Sequence, residues 1–188
     1  AGGTFTNFES AFLGSIRAEA GGVVEFVGAT VSGGQLSSVD TGRLRATGGS
    51  TLSSTTLLPG SVFEVNDGIN VDLVGALDNR GTIALLGSYY GAGLSLSSGN
   101  VALTGGGTIT LSNHPNNHIG ATGGTYVLNN VDNVIYGGGQ LGVNALTLTN
   151  TGTIEASQPT ALTVDLAAAF TNQGTLRAIG TGGLLFND

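Results

Sequence analysis

Two histidines lie four residues apart in the most polar stretch of the chain, which reads Asn-His-Pro-Asn-Asn-His over 113–118. Histidines at this spacing bind a metal ion readily when they share one face of a helix. Pro115 and the asparagines around it disfavour a helix and are typical of a loop. We therefore expect His114 and His118 to lie in a corner insertion as candidate binding residues, with a metal site as the alternative.

A second polar cluster carries the oxygen atoms that calcium prefers. Asn66, Asp67, Asn70 and Asp72 surround Gly68, and calcium takes several oxygen ligands from one loop. The spacing matches neither an EF-hand nor the nonapeptide repeat of calcium-binding β-rolls. We expect an ordinary turn and no cofactor, with calcium near Asp67 and Asp72 as the alternative.

Other residues could bind or cleave a glycan. Tyr89 and Tyr90 form a candidate binding pair, because tyrosine can stack on a sugar or fill a protein interface, although strand alternation predicts that one of the two points inward. Cleavage would need clustered acids, whereas Asp132, Glu155 and Asp165 are expected to fall in different coils. We therefore expect no enzymatic activity, and a polysaccharide-acting enzyme is the second alternative.

These residues must be positioned by a short repeat. The motif apolar-x-Asn-x-Gly-Thr-Ile/Leu occurs at 77–83, 148–154 and 170–176, and shorter echoes begin at Gly14, Gly42 and Gly107. An imperfect period in the low to middle twenties is typical of a solenoid. The predicted corner ladder consists of Asn79, Gly81, Asn150, Gly152, Asn172 and Gly174.

Each position of the motif has a physical reason. The apolar residue ends a strand with its side chain inward, and asparagine tolerates left-handed backbone angles at a corner. The glycine is expected to supply a positive φ, after which Thr and Ile or Leu restart a strand with one side chain outward and one inward. Strands and corners without helices predict an all-β protein, a parallel β-helix of about eight coils, with an antiparallel β-sandwich as the alternative.

Composition limits the partners. Only 9% of the residues are charged, and the net charge of −7 comes from twelve carboxylates and five arginines, without lysine. An acidic surface repels nucleic acid. No apolar run approaches the length of a membrane span, so membrane insertion is not expected. The chain is predicted to be a single β-solenoid domain over 1–188 that is a segment of a longer or polymerising protein.

The tract over 126–141, with its repeated Asn and Gly residues, and the two late Asn-x-Gly-Thr copies resemble the β-strand repeats of large bacterial exoproteins. Autotransporter passengers and filamentous-haemagglutinin-like adhesins belong to this class. The resemblance is clear over 77–188 and faint over 1–76. It implies a right-handed coil, secretion to the cell surface, and a role in adhesion, matrix or filaments.

Two functions follow as expectations. The first is an extracellular structural rod or filament, formed by end-to-end self-association, because neither end of the sequence reads as a capping helix and uncapped solenoid ends pair with neighbours. The alternative is an adhesin segment that binds a glycan or a host protein through Tyr89, Tyr90, His114 or His118.

Overall fold

The computed structural model describes residues 4–6, 14–168 and 170–187. At the two ends of the chain, whose lack of a capping helix was noted above, residues 1–3 and Asp188 lie outside these ranges. The described residues form strands and turns without a helix, so no helix is present that could cross a bilayer. In chain order the strands are β1 Thr4–Thr6, β2 Ser15–Ala18, β3 Val23–Phe26, β4 Thr30–Ser32, β5 Gln35–Ser38, β6 Arg43–Ala46, β7 Ser50–Ser53, β8 Thr56–Leu57, β9 Val62–Asn66, β10 Asn70–Val74, β11 Ala76–Asn79, β12 Thr82–Leu86, β13 Gly93–Leu96, β14 Val101–Thr104, β15 Thr108–Ala121, β16 Tyr126–Asn130, β17 Val134–Leu141, β18 Leu146–Asn150, β19 Thr153–Ala156, β20 Leu162–Asp165, β21 Thr171–Asn172, β22 Thr175–Ala178 and β23 Leu184–Asn187.

The strands wind into a β-solenoid of about eight coils with three faces. Face 1 contains β3, β6, β9, β12, the start of β15, the start of β17, β19 and β22; face 2 contains β1, β4, β7, β10, β13, the ends of β15 and β17, β20 and β23; face 3 contains β2, β5, β8, β11, β14, β16, β18 and β21. Every pairing among the described strands is parallel, as shown by the registers of β3 with β6, β12 with β15 and β18 with β21. The parallel β-helix is therefore confirmed, and the antiparallel sandwich is wrong.

Residues one coil apart stack in columns along the rod. On face 1 one inward column contains, in register, Val24, Leu44, Phe63, Ile83, Ile109, Ile135, Ile154 and Leu176. All but the two end members are fully buried, and each such side chain stabilises the fold by about 1.5–3 kcal/mol through the hydrophobic effect. The alternation predicted by the motif is thus confirmed on this face.

The edge between face 1 and face 2 varies most from coil to coil. The register advances by 26 residues from Thr82 to Thr108, but by only 19 from Val134 to Thr153. Both β15 and β17 run through this edge as continuous strands, and β15 shifts register between Leu111 and His118. The extra residues of the longer coils are accommodated here, so this edge carries most of the polar side chains discussed below.

Candidate functional site

The turn that carries Tyr89 and Tyr90 and the segment that carries His114 and His118 lie next to each other on this edge. Gly93 of β13 is in register with His118 of β15, so the turn over 87–92 and the segment over 112–117 occupy neighbouring coils. A Cβ atom placed on Gly91 would lie 2.4 Å from the carbonyl oxygen of Asn116, which shows how closely the two backbones approach. We name the surface formed by 88–91 and 113–118 the aromatic edge.

Asp67, one coil before the tyrosines, holds the backbone of the aromatic edge. Its Oδ1 accepts hydrogen bonds from the backbone N–H groups of Ser88, Tyr89, Tyr90 and Gly91 at 2.8, 3.1, 3.0 and 2.9 Å, and its Oδ2 accepts one from Tyr90 at 3.2 Å. These bonds, led by those from Ser88 and Tyr89, lower the pKa of Asp67 to about 2, because they stabilise the ionised carboxylate.

The two tyrosine side chains both face solvent. Tyr89 is 75% exposed and Tyr90 70% exposed, and their rings meet edge to face with centroids 4.7 Å apart at 83°. The expectation that one of them points inward is wrong. The alternation argument applies to strands, whereas 88–90 form a bend that Asp67 holds outside the strand ladder.

Asn117 supports the same turn from the following coil and was missed by sequence reasoning. It is fully buried, its Oδ1 accepts a hydrogen bond from the N–H of Ala92 at 2.9 Å, and its Nδ2 donates to the backbone oxygen and the hydroxyl of Ser112, each at 2.9 Å. The Ser112 hydroxyl in turn donates to the carbonyl of Gly87. Its only sequence signal is its place in the polar stretch over 113–118.

The histidines each contact the backbone of Asn116. The Nδ1 of His114 accepts a hydrogen bond from the Asn116 N–H at 3.3 Å, and the Nδ1 of His118 lies 3.2 Å from the Asn116 carbonyl oxygen. Within the described ranges, no three His, Cys, Asp or Glu side chains cluster in a way that could hold a metal ion. The pair therefore contributes polar groups to the aromatic edge.

The two acids of the calcium alternative lie on different surfaces. Asp67 lies at the edge, whereas Asp72 lies on face 2 in β10 and accepts a hydrogen bond from Asn70 Nδ2 at 3.2 Å. Burial raises the pKa of Asp72, since its charged form is less well solvated. A cation at Asp67 would have to compete with the backbone N–H donors that the carboxylate already accepts. The absence of a cofactor stays a prediction, with calcium near Asp67 and Asp72 as its alternative.

The asparagines of the predicted corner ladder take part in a chain of hydrogen bonds that is buried inside the rod except at Asn172. Asn130 Nδ2 donates to Asn150 Oδ1 at 2.7 Å, and Asn150 Nδ2 donates to Asn172 Oδ1 at 2.7 Å. Asn79 enters the same network by donating to Asn133 Oδ1 at 2.8 Å, and the Asn133 N–H donates to Asn130 Oδ1 at 3.2 Å. Asn130 and Asn133 were not among the predicted members.

The ladder residues do not have the predicted backbone conformation. Asn79, Asn150 and Asn172 are not left-handed, and the motif glycines Gly81, Gly152 and Gly174 have no positive φ either. The glycine is required by close packing instead. A Cβ on Gly152 would lie 2.4 Å from the carbonyl oxygen of Asn133 and 2.8 Å from Asn130 Nδ2. The corner places these glycines against the previous coil, so any side chain would collide with the backbone.

The acids considered for catalysis lie on separate parts of the rod. Asp132 Oδ1 accepts hydrogen bonds from the Gly106 N–H and from Asn133 Nδ2. Glu155, which is 7% exposed, lies in β19 on face 1, and Asp165 ends β20 on face 2 of the same coil. The expectation that these two acids fall in different coils is wrong, but they lie on different faces of that coil.

All five arginines are already paired with carboxylates. Arg17 pairs with Glu19, Arg43 and Arg45 with Glu64, Arg80 with Asp78, and Arg177 with Glu155. Because the chain contains no lysine, it has no strongly basic side chain besides these arginines. The rod therefore presents neutral polar groups and scattered acids rather than a basic patch.

No protein-family model matches the chain, and comparison with curated proteins and with solved structures finds no match.

Proposed function

We propose that the chain is a segment of an extracellular structural rod of the bacterial surface or matrix. The observation that carries this proposal is the continuity of the stacked columns, apolar on face 1 and asparagine at the inner corner, through successive coils. A column in which each residue contacts its equivalent one coil away stiffens the rod along its length, since each coil is fixed by its neighbours.

The surface composition fits a rod in an aqueous matrix. Few side chains are charged, the arginines are paired within the rod, and the outward positions are dominated by Thr, Ser and Asn. The resemblance of 77–188 to bacterial β-strand repeat exoproteins supports the same location outside the cell.

We further propose that rods associate end to end. The coil formed by β21, β22 and β23 leaves three apolar side chains exposed: Ile179 by 68%, Leu185 by 50% and Phe186 by 55%. Asn172 in this coil is also exposed and donates only to the carbonyl of Gly174. A second copy stacked on this coil would bury these apolar side chains, and a contact that repeats without closing produces a filament.

The test is the oligomeric state of the chain across concentration, by sedimentation velocity and negative-stain microscopy. We expect assembly that grows with concentration and is weakened by Leu185→Arg, which places a charge at the rim of the contact because Leu185 is in register with the outward Thr163. Leu86→Arg is the matched control, because Leu86 is 40% exposed on β12 in the middle of the rod. A monomer at every concentration, or equal assembly by Leu185→Arg, would contradict end-to-end association.

A further inference from the structure

We propose that the aromatic edge binds a neutral glycan, with a pyranose ring stacked on Tyr89 or Tyr90. This inference goes beyond the rod proposal and does not depend on it, since it concerns the side of the solenoid rather than its ends.

The tyrosine pair has the exposure and the ring geometry that a sugar-binding surface needs. An aromatic face binds the C–H face of a sugar ring by dispersion and hydrophobic contact, and a tyrosine hydroxyl adds a polar group at its rim. The two rings stand at 83° to each other and remain 75% and 70% exposed. One ring can carry the sugar while the other borders it on one side.

The aromatic edge is ordered before a ligand binds. Exposed tyrosines on a mobile turn would lose conformational entropy on binding, and this loss weakens affinity. Here the N–H groups of Ser88, Tyr89, Tyr90 and Gly91 all donate to Asp67. The buried Asn117 holds the end of the turn through the Ala92 N–H. Two neighbouring coils therefore hold the backbone that carries the rings.

Neutral polar side chains lie beside the two tyrosine rings. Ser88 and Asn116 are exposed at the aromatic edge, and Asn116 lies against Gly91, the residue after Tyr90. A hydroxyl and a carboxamide both donate and accept hydrogen bonds, as sugar hydroxyls do. This combination of an aromatic face and neutral polar groups matches a carbohydrate rather than an apolar ligand.

The charge distribution selects a neutral sugar over an acidic one. Sulfated or uronic-acid glycans are bound mainly by Arg and Lys, whereas every arginine of this chain is paired with a carboxylate and lysine is absent. Asp67 adds a negative charge directly under the tyrosines. A protein partner is less well matched, because a stable interface covers about 800 Å² per partner and the aromatic edge is confined to two short segments.

The test is saturation-transfer NMR on the full chain with cellohexaose, maltohexaose, mannohexaose and chitohexaose as neutral probes and heparin as the acidic comparator. We expect at least one neutral probe to receive saturation at its ring protons, and heparin to receive none. The double variant Tyr89→Ala/Tyr90→Ala should weaken binding by about tenfold or more, whereas Tyr89→Phe/Tyr90→Phe should retain most of it, since stacking requires the ring.

Two further variants test whether binding depends on the aromatic edge and its support rather than on any exposed tyrosine. Tyr136→Ala removes a partly exposed tyrosine from β17 on face 1 and should leave binding unchanged. Asp67→Asn leaves both rings in place but weakens their support, and should reduce affinity by a smaller factor than the double alanine variant. Absence of binding by all four neutral probes at millimolar concentration, or binding that survives the double alanine variant, would overturn the proposal.

Discussion

At the scale of single residues, the inner asparagines show how a solenoid buries polar groups without loss of stability. A carboxamide buried alone would lose its hydrogen bonds to water. Asn130 Nδ2 donates to Asn150 Oδ1 and Asn150 Nδ2 donates to Asn172 Oδ1, so the donor and acceptor of Asn150 are both satisfied by asparagines one coil away. The repeat itself supplies the partner.

Asn150→Ala should therefore destabilise the protein by about 2–3 kcal/mol, because Asn130 Nδ2 and Asn172 Oδ1 each lose a partner and one of them is buried. Urea unfolding followed by circular dichroism measures the change. Thr149→Ala on the outward side of the same strand is the control and should change the free energy of unfolding by less than about 0.5 kcal/mol. Equal effects of the two substitutions would show that the ladder does not stabilise the fold.

The motif glycines should behave differently from glycines chosen for their backbone angles. Gly152 faces the carbonyl of Asn133, whereas Gly106 has a φ of +68° with nothing within 4 Å of an added Cβ. Gly106→Asn should be nearly neutral, since asparagine tolerates left-handed angles. Gly152→Asn should cost about 2 kcal/mol or more by collision. Thermal melting compares the two, and a tolerated Gly152→Asn would contradict the close-packing explanation.

At the scale of elements, the turn over 87–92 derives its shape from another coil. Residues 88–90 are bends, and a single carboxylate one coil away accepts four N–H groups of the turn. The order of 88–91 therefore depends on the charge of Asp67, while Asn117 holds the end of the turn at Ala92.

This dependence predicts a specific effect of pH. The folded pKa of Asp67 is about 2, below the ordinary value of 3.8, so its contribution to stability is fully present above about pH 4 and is lost as the pH falls towards 2. Hydrogen exchange at the amides of 88–91 should be faster in Asp67→Asn than in the wild type at neutral pH. The difference in exchange rate should shrink below about pH 3. A difference that persists at low pH would show that a group other than the ionised Asp67 carboxylate protects these amides.

At the scale of the whole molecule, stability should be a sum over coils and their interfaces, as in other repeat proteins. Each described coil contacts mainly the coils before and after it, and the register connects positions about one motif apart. The chain should therefore stay folded when a whole coil is deleted and lose structure when only part of a coil is deleted.

Deletion of 151–172 joins Asn150 to Gln173 and recreates the motif Asn-Gln-Gly-Thr, with β18 followed by β22 and β23 on the next two faces. We expect a folded rod shortened by about 5 Å, the spacing of one parallel strand. The smaller deletion of 151–161 connects face 3 directly to face 2 and should unfold the C-terminal coils. Small-angle scattering and circular dichroism distinguish the two; equal stability of both deletions would contradict a coil-by-coil architecture.

Much of this architecture was predictable from sequence because its rules are local. Alternation around Leu44 and Ile154, together with the Asn-x-Gly-Thr copies, indicates short strands, corners and a coil of about one motif in length. These patterns depend on neighbours along the chain, so the all-β parallel coil and the inward columns could be predicted without coordinates.

The tertiary structure decided everything that depends on contact between coils. The close approach at Gly152, the bond from Asn79 to Asn133 and the clamp of Asp67 on the turn that carries Tyr89 and Tyr90 join residues about one or two coils apart. Coil length varies along the chain, so sequence spacing alone does not show which residues will stack. Register, and with it the aromatic edge, is set by packing between coils rather than by the preferences of the residues within them.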